Sequence, residues 1–290
     1  MRAEAIGSLA VQALLRELDV WPKPGLVSRI DSGSHSDMDA AMLERSSLAL
    51  ESYFVQLAEA GARNAGMTTL RRLGLAAESA MLAATGGVNT HRGAIFGLGL
   101  LCAAAGADNS TPPDEDARRS DRLGSIVRER WGASMNAPPL QDESHGALVQ
   151  RRYGVVGARA EAASGFSAIY QIGWPALRRG RLLAPGDDNA GGVQCCLALI
   201  AAVTDTNLLY RGGVDGLRFC QEIARAFIRR GGVGCADWYT HAINAHRAFV
   251  ARHLSPGGCA DLLAMTLFVD AFQAASMRQA QRCTQEPALV

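Results

Sequence analysis

The chain has 290 residues, of which 48% are hydrophobic and 20% charged, and a formal net charge of +1. A near-neutral chain of this kind has no overall field with which to hold nucleic acid or a membrane surface. Any anionic partner has to be gripped by basic groups concentrated in one place. The seven cysteines are odd in number, lie mostly inside apolar runs and show no CxxC spacing, which suits buried thiols of a reducing cytoplasm better than disulfides or a zinc site.

In chain order, the opening "MRAEAIGSLAVQALLREL" alternates charge with apolar residues at helical spacing and lacks the apolar core of a signal peptide. Apolar positions recur every three or four residues through 4–19, 38–60, 68–84, 93–106, 147–164, 193–204, 213–230, 236–253 and 259–279. Alanine and leucine dominate these stretches and glycine or proline separates them, so they predict amphipathic helices; no strand pattern appears. Segments 93–106 and 193–204 are apolar almost all round, which places them at the centre of a bundle. Their apolar runs, 94–105 and 193–203, fall short of the roughly 20 residues that span a bilayer. Residues 107–140 turn to charge, proline and serine and predict a long mobile loop with a short helix near 121–131. A shorter break is expected at 178–192. The expectation is an all-α protein: one globular multi-helix bundle over 1–290, with apolar central helices, long polar loops and a cytoplasmic location.

Function is signalled where polar residues gather at the ends of apolar helices. In "ATGGVNTHRGAIF" (84–96), Gly86, Gly87 and Gly93 allow close backbone approach. The free N–H groups of the following helix, with Arg92, favour an anion; capping by Asn89 and Thr90 is the plainer alternative. In "WPKPGLVSRIDSGSHSDMD" (21–39), Lys23 and Arg29 bring positive charge, and His35, Asp37 and Asp39 crowd a helix start. Asp37 is either an N-cap or one of the carboxylates that magnesium takes alongside substrate phosphate. Glu78 sits among alanines, which weakens its default place on a solvated face, and Asp261 lies inside "SPGGCADLLA" (255–264); Glu161, two residues after Arg159, and Asp205, before the apolar "LLY", also read as surface carboxylates. His145, Arg151, Arg152 and Arg159 read equally as a solvated basic stripe. No nucleotide-binding glycine fingerprint, zinc-protease motif or nucleophile elbow is present. His241, His246 and His253 are spaced poorly for a shared ligand and are expected at the surface.

The segments "PKPGLV", "GSHSDMD", "AATGGVNTHRGAIFGLGLL", "SHG", "RRYGVVGARAEA", "DTNLLYRGG" and "SPGGCADLLA" occur in that order across most of residues 20–270. Together they resemble the triphosphoribosyl-dephospho-coenzyme A synthase family, and "SHGALVQRRYG" resembles the branch serving malonate decarboxylase more than the one serving citrate lyase. Ser28 stands where the family usually has aspartate, and Ser167 where it usually has proline. The resemblance implies a helical transferase that moves the 5-triphosphoribosyl group of ATP to the 2′-hydroxyl of 3′-dephospho-coenzyme A. Adenine is released, and the product is the precursor of an acyl carrier protein's prosthetic group.

On that reading Lys23, Arg29, Arg92, Arg159 and Arg211 grip the phosphates, with backbone N–H groups of Gly86, Gly87, Gly212 and Gly213. His35, Asn89, Thr90, His145, Asn207, Ser255, Gly257 and Gly258 complete the substrate site. Magnesium is expected on Asp37, Glu78, Asp205 and Asp261. Cleavage of the ribose–adenine bond calls for acid–base help from Glu161, Asp37 or His91. Contact with a downstream prosthetic-group transferase or acyl carrier protein, and a homodimer, are further expectations; no nucleic acid polymer and no membrane is expected. Two readings compete: a magnesium-dependent nucleotide N-glycohydrolase, and a non-catalytic helical adaptor.

Overall fold

The computed structural model describes residues 1–108, 121–135 and 145–285. Among these residues the secondary structure is helical throughout, without a strand. α1 (Ala3–Asp19) buries Ile6, Ala10 and Leu14 one turn apart, the stripe expected of an amphipathic helix. The periodic stretch 38–60 is two helices, α2 (Ala40–Ala49) and α3 (Glu51–Ala62). They divide at Leu50, whose N–H closes a tight turn onto the Ser47 carbonyl at 3.2 Å.

α4 (Met67–Ala84) leads into α5 (Arg92–Ala107), and 12 of the 16 residues of α5 are buried. α3 approaches α5 through glycine: a Cβ on Gly61 would stand 1.8 Å from the Ala103 carbonyl oxygen, and one on Gly106 would stand 1.9 Å from that of Ala58. The short helix near 121–131 is α6 (Arg122–Met135); the rest of the proposed mobile loop falls largely outside the described residues. The stretch 147–164 is also interrupted, into α7 (His145–Tyr153) and α8 (Ala158–Ala163). Gly154 between them has φ +64°, which ends a helix.

α9 (Trp174–Leu183) occupies the start of the expected break at 178–192. Leu177 and Gly180 are its buried face, and Arg181 reaches Asp270 at 2.8 Å. α10 (Asp188–Ala202) and α11 (Thr206–Arg229) follow, α11 broken by Gly213 at φ 61° and ψ −160°. α12 (Trp238–Val250) and α13 (Gly257–Gln285) close the chain. Residues Gly257–Gln279 are long and apolar enough to cross a bilayer by length and composition, unlike the shorter runs noted in the sequence. α13 instead packs on α1, α5 and α10, the setting of a core helix. The N-terminal ends of α5, α11 and α13 and the C-terminal end of α1 converge, and the site is built there.

Candidate active site

Two cavities open at this convergence. The larger, about 460 Å³, is walled by Leu14 and Glu17 of α1, by Leu26, Val27, His35 and Met38 of the first loop, and by Leu43 of α2. Asn89 to Gly93, Asn207, Arg211, Ser255, Gly257 and Asp261 complete it on the other side. The second, about 300 Å³, is lined by Phe96, Val156, Phe166, Ile172, Leu262 and Met265, with Glu161, Ser167, Thr204, Asp205 and Gly258 among its polar groups. Gly93 and Asp261 line both. A Cβ on Gly93 would lie 2.0 Å from Asp261 Oδ2, so glycine is required for the carboxyl to occupy the shared wall. Burial, reinforced by the like charges of Glu17 and Asp205, pushes the Asp261 carboxyl well above the usual carboxylate range, against the lowering effect of the Ala94 N–H.

At the rim of the larger cavity, His35 Nε2 lies 2.9 Å from Ser255 Oγ, and its Nδ1 lies 3.3 Å from both Asp37 Oδ1 and an Arg211 nitrogen. Burial and the Arg211 charge hold the His35 imidazole below its ordinary value, against Asp37. Arg211 also donates to the Ser34 and His253 carbonyls at 3.3 and 3.2 Å. On the inner side, His91 Nδ1 and Thr90 Oγ1 each lie 2.7 Å from the buried Ser46 hydroxyl. Burial, with the Lys23 charge behind it, lowers His91 to about 4; near neutral pH the ring is uncharged. Asn89 Oδ1 accepts from the N–H of Arg92, the first residue of α5, at 3.1 Å, and Asn89 lines the cavity.

Several expected site residues are engaged elsewhere. Lys23 is fully buried, its Nζ 2.5 Å from both the Glu17 carboxylate and the Glu17 carbonyl; it neutralises the wall from behind. Arg29 pairs with Asp19 and Glu44 at 2.5 and 3.0 Å and lines neither cavity. Arg159 donates to the Met135 carbonyl at 3.0 Å, also away from both linings. Gly86 and Gly87 form the left-handed end of α4, and the Gly87 N–H is bonded to the Leu82 carbonyl at 2.8 Å, a helix-terminating pattern. That N–H is not available to phosphate. Gly212 packs against Leu254 and Gly213 makes the kink in α11; neither lines a cavity. The side chain of His145 lies outside the described residues.

Of the four carboxylates expected to share magnesium, Asp205 and Asp261 line one cavity, while Asp37 and Glu78 lie apart from them. Among the described residues no three His, Cys, Asp or Glu side chains come together as a metal site. Asp37 turns to His35, while Asp39 caps α2 through the Met42 N–H. Glu78 pairs with Arg92 at 3.0 Å. Asp205 is buried and accepts from the N–H groups of Asn207, Leu208 and Cys259 at 2.8, 3.1 and 2.8 Å, tying the starts of α11 and α13 together. These residues do not fit a protein-held ion.

Glu161 does line the second cavity, one oxygen accepting the Ala168 N–H at 2.6 Å and the other 3.4 Å from Ser167 Oγ. The Ser28 hydroxyl accepts from the Ile30 N–H at 3.1 Å. His246 is buried rather than at the surface, between the Lys23 carbonyl at 2.9 Å and Asp31 at 3.2 Å. Sequence reasoning missed Glu17 and Ser46. Glu17 carried a signal, being an acid on the buried stripe of α1 three residues after Leu14; Ser46, a mid-helix serine, carried none.

The fold and site define a helical protein with two adjoining cavities that share one carboxyl-bearing wall. A family model described as ATP:dephospho-CoA triphosphoribosyl transferase matches residues 3–279. A probable 2-(5''-triphosphoribosyl)-3'-dephosphocoenzyme-A synthase of Azotobacter vinelandii is 41% identical over 274 residues, covering 92% of this chain and 91% of the relative. The 2-(5''-triphosphoribosyl)-3'-dephosphocoenzyme-A synthase of Klebsiella pneumoniae is 41% identical over 285 residues, covering 96% and 94%. No solved structure matches. The chain belongs to the ATP:dephospho-CoA triphosphoribosyl transferase family, and it is a transferase.

Proposed function

We propose that ATP occupies the larger cavity and dephospho-CoA the smaller, with the ribose C1′ of one and the 2′-hydroxyl of the other meeting at Asp261. The observation that carries this reading is the shared wall of Gly93 and Asp261. Arg92 and Arg211 at the larger cavity, with Asn89, Thr90 and the neutral His91, suit a triphosphate. Leu26, Val27, Met38 and Leu43 suit a purine face. The apolar lining of the second cavity suits the acceptor and excludes water, which would otherwise compete with the alcohol as nucleophile. Magnesium enters as the counterion of the triphosphate rather than as a resident ion, and no step depends on a protein-held metal.

As C1′–N9 breaks, Asp261 gives its proton to the departing adenine, and Glu161 takes the proton of the attacking hydroxyl; the two carboxyls exchange their protons with solvent afterwards. This division follows inverting glycoside chemistry, in which acid and base act on opposite sides of the anomeric carbon. Of the three acid–base candidates, His91 is locked neutral and Asp37 is exposed on His35, which favours Glu161. Glu161→Gln is expected to slow adenine release by roughly 10²-fold while leaving ATP affinity near wild type, as read by single-turnover chromatography and calorimetry; unchanged turnover removes Glu161 from the mechanism. Adenine formed from ATP without acceptor would favour the glycohydrolase reading instead. The "SHGALVQRRYG" segment supports a place in prosthetic-group synthesis for malonate decarboxylase, upstream of a transferase acting on its acyl carrier protein. Cys102, Cys195, Cys196, Cys220 and Cys259 are buried free thiols and Cys235 is a partly exposed one, which supports a reducing, cytoplasmic setting.

A further inference from the structure

Ser46 sits fully buried on α2, 44 and 45 residues from the two groups it joins, and touches no ligand cavity itself. Its single hydroxyl proton has two neighbours at 2.7 Å, Thr90 Oγ1 and His91 Nδ1. If Thr90 supplies its own proton to Ser46 Oγ, the Ser46 proton goes to Nδ1, and the uncharged ring carries its remaining proton on Nε2. The reverse order puts the proton on Nδ1 and leaves a bare lone pair on Nε2. His91 lines the larger cavity, and Nε2 has no protein partner among the described residues, so Nε2 is the nitrogen a ligand meets. The groups facing that space include donors, the Arg92 and Arg211 guanidiniums and the Asn89 amide, as well as the carboxyls of Glu17 and Asp261; the triphosphate proposed for it brings only acceptors. A lone pair at Nε2 would repel a triphosphate, whereas an N–H bonds to it.

We propose that Ser46 is a positioning residue which, backed by Thr90, fixes His91 as the Nε2–H tautomer so that the ring donates a hydrogen bond to the phosphate-bearing donor nucleotide. The bond is made by an uncharged donor that does not titrate near neutrality, so it is insensitive to pH there, unlike a bond from imidazolium. This rests on the larger cavity being the ATP site.

The test has two parts. Long-range ¹H–¹⁵N correlation of histidine-labelled protein without ligand, with the His91 signals assigned from their loss in His91→Gln, should show Nε2 protonated and Nδ1 bare. A protonated Nδ1 overturns the proposal whatever the kinetics show. Ser46→Ala should raise KM for ATP about tenfold, the worth of one misdirected hydrogen bond. It should leave kcat and KM for dephospho-CoA near wild type, since binding lost equally from ground and transition states appears in KM alone. Ser46→Thr, which keeps the hydroxyl, should restore KM. A fall in kcat with both KM values moving together, unrescued by threonine, assigns Ser46 a merely structural role and overturns the proposal. If Arg92→Ala leaves ATP affinity unchanged, the cavity assignment fails while the tautomer result stands.

Discussion

Asp261→Asn should reduce kcat by about 10²–10⁴-fold, the range for loss of a general acid, with both nucleotides still binding. Asparagine matches the carboxyl in size, so the fit against Gly93 survives, and it can donate a hydrogen bond but cannot transfer a proton. Burial and the neighbouring Glu17 and Asp205 raise the Asp261 pKa, which keeps the acid form available toward neutral pH. The groups facing it are Glu17 from α1, Asp205 from the start of α11, the Ala94 N–H of α5, and across the cavities His91, Arg92, His35, Arg211 and Glu161. An acid must be protonated to act, so wild-type kcat should fall as pH rises through that raised pKa. The falling limb should vanish in Asp261→Asn. Rapid-quench measurement of adenine release checks both, and a variant that retains wild-type kcat removes Asp261 from the reaction.

Lys23→Met should cost about 3–5 kcal/mol of stability, because it leaves Glu17 buried without its cation. Burial already raises Glu17 above the ordinary carboxylate value even though Lys23 lowers it; without Lys23 the shift grows. A carboxyl whose folded pKa lies above its unfolded pKa is an increasing burden as pH rises from one to the other. The loss should therefore be small in acid and largest near neutrality. Thermal melts should show a drop of roughly 10 °C near neutral pH. Lys23→Met combined with Glu17→Leu should recover most of it, since a buried pair replaced whole is often neutral. A Lys23→Met protein that melts with wild type would mean the pair does not carry this part of the wall.

Much of the architecture was legible because it rests on local periodicity. α1, α4 and α5 lie within a residue or two of their apolar patterns, α13 begins within two residues of its own, α6 matches the short helix expected near 121–131, and α5 and α10 are central because they are apolar all round. What failed was whatever depends on a single residue or a distant partner. Leu50 turns a chain whose hydrophobic period runs straight through it. α9 hides in "WPALRRGRLL", whose arginines look like loop until Arg181 is seen against Asp270. The polar clusters did identify the convergent ends of the helices, and Asn89, His91, Arg92, Arg211, Ser255 and Asp261 all reach a cavity. Sequence could not tell a cation facing substrate from one already matched. Lys23, Arg29 and Arg159 look like phosphate ligands by type, yet each is directed to protein oxygens. The same limit applies to Asp205, whose carboxylate is taken up by three backbone N–H groups.

The most direct test is a crystal structure of the protein with ATP and a dephospho-CoA analogue lacking the 2′-hydroxyl, which can bind but cannot react. The account predicts the triphosphate against Arg92 and Arg211, the acceptor between Phe96 and Phe166, and C1′ facing the acceptor's 2′-carbon beside Asp261. Both nucleotides bound away from the Gly93–Asp261 wall, or competing for a single cavity, would contradict it.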